Sequence, residues 1–131
     1  MWLLMMELGV LKSRINAGKK AIDEKDFTTA KLACFALPAD STSHFLYHQS
    51  FAYAQDIQDR IYRILECVNL LQDMSSLLKD EKITDNHWSV KEMTANFNDV
   101  LLHMTYIDEH LGTKIIESMN ADEVRAHYRK T

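Results

Sequence analysis

The 131-residue, 15.2 kDa chain has the size of one ordinary domain, and its 47% hydrophobic and 26% charged residues mark a folded protein rather than a disordered one. Three glycines and one proline supply too little turn chemistry for many short strands, which excludes a β-sandwich, a collagen-like chain or a Pro/Gly linker protein. The net charge of −4 is uneven, with +2 over residues 1–39, −9 over 40–123 and +3 over 124–131, and an acidic body argues against general binding to a phosphate backbone.

The opening Met1-Trp2-Leu3-Leu4-Met5-Met6 has no preceding base, is interrupted by Glu7 and lacks a small-x-small cleavage site. It therefore reads as the first turns of the fold, not as a secretory or membrane-spanning segment. From there a helix is expected over about 2–24, because Leu4, Leu8, Leu11, Ile15 and Ile22 recur in steps of three and four or their sum. Gly18 occupies the stripe position left empty, at a helix-propensity cost of about 1 kcal/mol relative to Ala, and would either let a neighbouring helix come close or simply weaken the end of this one.

A short helix follows over about 27–36, with Asp26 as its N-cap and Pro38 ending it. The next segment contains no Gly or Pro, and Ala54, Ile57, Ile61, Ile64, Val68, Leu71 and Leu78 keep the same steps, which predicts one helix over about 43–79. At the α-helical rise such a helix would reach roughly 55 Å. Ser89-Val90-Lys91-Glu92 has the form of a capping box, with Trp88 and Met93 as its hydrophobic staple, and opens a helix over about 90–118. Asn120-x-x-Glu123 repeats that pattern before a short helix over about 121–129.

The expected architecture is a single all-α domain over 1–131. It is an elongated bundle of three main helices (2–24, 43–79, 90–118) and two short ones, with coiled-coil-like seams. Residues 18–37 resemble part of one tetratricopeptide unit, but the following 34 residues carry no matching turn, so a repeat array is not expected.

Catalytic signatures are sparse. Isolated glycines form neither nucleotide-binding fingerprint, and no G-x-S-x-G occurs. Cys34 and Cys67 sit among apolar neighbours and read as small buried hydrophobes of a reducing, cytoplasmic protein. His44 with His48, and His103 with His110, could together hold a metal on facing helices, although the Glu-x-x-His pairing of di-iron bundles is absent. Phe45, Tyr47, Phe51 and Tyr53 form an aromatic cluster that either packs the second helix onto the third or lines a ligand pocket.

These features predict a non-enzymatic intracellular adaptor, chaperone or regulator without a cofactor, which binds another protein or a second copy of itself through helical faces. The alternative is a helical module for a small molecule or metal ion. The expected contact residues are Trp2, Met5 and Met6, whose turns are apolar nearly all round, together with Ile61, Ile64, Val68 and Leu71 on the long helix.

Overall fold

The stripes fold into five helices in a computed structural model that describes residues 2–37 and 40–117. They are α1 (Trp2–Asp23), α2 (Phe27–Phe35), α3 (Asp40–Ser50), α4 (Gln55–Leu77) and α5 (Trp88–Leu111), with no strand among the described residues. The expected helix over 121–129 lies outside the described residues.

Local chemistry sets the ends of these helices. Lys25 takes a left-handed conformation (φ 60°) after α1, and the Asp26 amide donates to the carbonyl of Ala21 at 2.8 Å. Asp26 then caps α2 as its position foretold, accepting from the Thr29 amide (3.2 Å) and the Thr29 hydroxyl (2.6 Å). These bonds hold its carboxyl below the ordinary range. At the other end, Gly112 adopts φ 64° and stops α5. The chain beyond it is not the helical continuation expected to 118. Asp108 instead holds it back, its carboxylate accepting from the Thr113 hydroxyl (2.8 Å) and the Ile115 amide (2.9 Å). Ile115 is buried, and its carbonyl accepts from Lys12 of α1 at 3.1 Å.

The single helix expected over 43–79 is corrected to two. After α3 the backbone tightens, with Phe51, Ala52 and Tyr53 donating to carbonyls three residues back, and the Ser50 hydroxyl donates to the Tyr47 carbonyl at 2.5 Å. Ala54 is extended (ψ 158°) and opens α4. The break shortens the central rod to 23 residues, about 35 Å, against 22 in α1 and 24 in α5, so the three long helices match in length.

Both α1 and α4 pack against α5 on one side and α2 on the other, while α3 lies mainly along α4. The fourth place of the bundle is thus shared by α2 and α3. Lys31 fastens α2 there, donating to the carbonyls of Leu78 (2.9 Å), Lys79 (3.3 Å) and Glu81 (3.1 Å) just past the end of α4. The core runs through Leu4, Leu8, Leu11 and Ile15 of α1, Ile61, Ile64, Val68 and Leu71 of α4, and Met93, Phe97, Val100, Met104 and Ile107 of α5.

At Gly18 the backbone of α1 meets the Phe97 side chain of α5. A Cβ there would lie 2.7 Å from Cζ of Phe97 and 3.2 Å from both neighbouring ring carbons, so the buried ring meets the glycine end-on. Substituting Gly18→Ala therefore sets a propensity gain of about 1 kcal/mol against an overpacking cost of about 1–3 kcal/mol. The expected net effect is a lower urea midpoint. Shortening the ring in Gly18→Ala/Phe97→Leu should recover part of that loss, whereas strictly additive effects of the two substitutions would rule out the contact.

Candidate functional site

Most residues assigned to a partner surface by sequence are internal. Met5 and Met6 are 1% and 6% exposed, and Ile61, Ile64, Val68 and Leu71 are no more than 1% exposed, all within this chain's own core. The reason is the short α4: without an overhanging rod, α2 and α5 cover its stripe, and α1 buries Met5 and Met6 beside Leu4 and Leu8. Trp2 begins α1, but its side chain lies outside what the structure describes.

The histidines do not converge. His44 and His48 stack on one face of α3 with ring centres 6.5 Å apart. His103 shares its Nδ1 with Arg60 Nη1 at 3.2 Å, and His110 stacks on Tyr106 at 3.8 Å. Among the described residues, no three His, Cys, Asp or Glu side chains gather as a metal site. The four histidines of the weak metal alternative, His44, His48, His103 and His110, are therefore not drawn into one such group there.

In place of those groupings the fold presents a polar–aromatic network and, among its surface depressions, one beside α2 and one beside α3. The network joins α4 to α5. Arg60 lies over the ring of Tyr106, 3.9 Å from its centre, and the Tyr106 hydroxyl donates to Asp56 at 2.8 Å. That bond holds the Asp56 carboxyl below its ordinary range and pushes the Tyr106 phenol up. Burial, then the Arg60 guanidinium, push the His103 pKa down; Asp99 opposes and Arg63 adds to the shift.

The first depression lies between α2 and α4. It has a volume of ≈ 200 Å³ and is lined by Lys31, Leu32, Phe35, Ser75 and Lys79. Leu32 and Phe35 are 60% and 64% exposed, on the side of α2 away from the buried Ala30 and Cys34. The second, of ≈ 280 Å³, has Ser43, His44 and Tyr47 of α3 on one wall and Tyr62, Glu66 and Asn69 of α4 on the other, with Leu65 between them. Of the aromatic cluster, Tyr47 and Phe51 are exposed and meet edge to face at 5.1 Å, while Leu46 is the α3 residue buried against the core.

One arrangement resembles a catalytic pair. Ser89 Oγ lies 2.7 Å from His87 Nδ1, and His87 Nε2 lies 3.7 Å from a Glu81 carboxylate oxygen. Ser89, however, is wholly buried, and its amide also donates to His87 Nδ1, at 3.2 Å. No substrate reaches such a hydroxyl. The group is a helix cap, and it corrects the capping box: His87, not Ser89, is the N-cap, and Trp88 is 57% exposed rather than stapled. The thiols are equally quiet, for burial pushes Cys34 up to about 12 and raises Cys67.

Comparison with family models, with curated proteins and with solved structures finds no match for this chain. No described helix is long and apolar enough to cross a membrane. Sequence reasoning missed Leu32 and Phe35, although their signal was present: the four residues Leu32-Ala33-Cys34-Phe35 are apolar on every side of one helical turn. Tyr62, Glu66 and Lys31 carried no such signal, because their roles arise only from the placement of α2 and α3 on α4.

Two outcomes test this description. His87→Ala removes the cap and orphans the buried Ser89 hydroxyl, so it should cost about 1–3 kcal/mol, and more than Ser89→Ala, which leaves the amide bond to His87 in place. Equal urea midpoints for the two variants would place the helix start elsewhere. The second concerns pH. His103 titrates lower in the folded state than in the unfolded one, so the unfolded chain binds more protons as pH falls below about 6.5 and stability drops. His103→Gln retains an acceptor for Arg60 but does not titrate. Its melting temperature should fall less than that of the wild type between pH 7 and pH 5.5.

Proposed function

We propose that this protein is a non-enzymatic helical adaptor or regulator that binds a helix of another protein along the α2–α4 face. The observation that carries the reading is the outward pair Leu32 and Phe35 over an apolar depression, on a short helix whose other side is already buried. Two large side chains held open one turn apart match the anchor spacing by which an amphipathic helix lies in a groove.

Charge narrows the partner. Among the described residues the depression is lined by two lysines and no carboxylate, so the complementary helix carries acidic residues beside its apolar anchors. A non-enzymatic role is supported by the inert cysteines and by the burial of the Ser89 hydroxyl beside His87. The free, buried Cys34 and Cys67 fit a reducing cytoplasm.

The test compares the wild type with Leu32→Glu/Phe35→Glu by quantitative affinity capture, together with sedimentation velocity on the purified chain. The substitutions replace exposed side chains, so the melting temperature should stay within a few degrees while one captured partner is lost. A dimer that the double substitution dissolves would make the occupant a second copy. Capture and mass that are unchanged by the substitutions would remove the α2–α4 face from consideration.

A further inference from the structure

The cleft between α3 and α4 has the composition of a cation site. Among the described residues, two tyrosines and a histidine, Tyr47, Tyr62 and His44, line it together with one carboxylate, Glu66, and with no lysine or arginine. Glu66 is exposed and makes no ion pair among the described residues. Arg63 lines the adjoining depression on the surface of α4, which it shares with Asp59, Tyr62 and Glu66. Tyr47 makes edge-to-face contacts with Phe51 (5.1 Å) and His48 (6.2 Å).

We propose that this cleft binds an alkylammonium group: a quaternary amine or a methylated lysine side chain. The negative faces of the tyrosine rings attract a positive charge that is too poorly hydrated to prefer water, and an adjacent carboxylate adds Coulombic attraction without demanding a hydrogen bond. The volume of ≈ 280 Å³ lies just under that of drug-sized pockets, about 300–1,000 Å³, which suits a small cation on a short aliphatic stem. Asn69 and Ser43 on the rim supply neutral donors and acceptors for the remainder of the ligand. The cleft shares no residue with the α2–α4 face, and the proposal does not rest on that reading.

The experiment records amide shifts of the full-length, isotope-labelled chain during titration with three probes. These are choline, its uncharged carbon isostere 3,3-dimethylbutan-1-ol, and a Gly/Ala-flanked peptide carrying one Nε-trimethyllysine. Saturable shifts confined to residues 43–47 and 62–69 are expected with choline or with the peptide, and the uncharged isostere should bind at least about fivefold more weakly. Saturation by choline alone identifies the ligand as a free small amine, and saturation only by the peptide identifies it as a partner's side chain.

Glu66→Gln and Tyr62→Leu replace exposed side chains and should each weaken binding roughly five- to tenfold with unchanged helicity and melting temperature. Three results would overturn the proposal: no saturation with either cation, equal affinity for the isostere, or undiminished binding by Glu66→Gln. Should Tyr62→Leu lower the melting temperature, Glu66→Gln alone decides, since it preserves shape and removes only charge.

Discussion

The ring of Phe97 resting on the bare backbone of Gly18 governs the geometry of this fold. Interaxial distance between packed helices depends on the side chains at the contact, and a glycine opposite a fully buried phenylalanine draws α1 and α5 together. With α5 held against α1, its opposite side receives α4, leaving one open flank between α1 and α4. That flank is too wide for loops and is filled by α2 and α3. The depressions lined by α2 with α4 and by α3 with α4 lie along that filling.

What the sequence disclosed and what it concealed divide along the range of the forces involved. Stripes such as Leu4-Leu8-Leu11-Ile15 and Met93-Phe97-Val100-Met104 are written in local spacing, and each is buried where that spacing places it. The Asp26 cap is equally local, whereas the stop at Gly112 was read through, the helix being expected to run on to 118. The interruption at Phe51–Ala54 is not. No Gly or Pro announces it, and every residue there is an acceptable helix former, so an intact stripe was read straight through. The turn lets α3 pack against α4 and α1, contacts that a continued helix would not make.

The same blindness explains the misplaced partner surface. Met5, Met6 and the stripe of α4 were apolar enough to bind another chain, and the sequence could not reveal that their partner was the chain itself. Conversely, the histidine that caps α5 stands two residues before a serine with better credentials. A ring nitrogen outcompeted the hydroxyl because the helix begins two residues earlier than the capping-box pattern implies, carrying Ser89 inside, where it is wholly buried and can only donate back.

The two thiols have a practical consequence. A Cys34 pKa of about 12 means that near pH 8 only on the order of one native molecule in ten thousand carries the thiolate, whereas an unfolded cysteine, with a pKa near 8.5, is about a quarter ionised. Alkylation at either position therefore registers opening of the structure rather than its surface. Since Cys34 belongs to α2 and Cys67 to α4, their separate modification rates form a chemical clock with two hands. One times the release of the short helix, and the other times the release of the bundle that carries it.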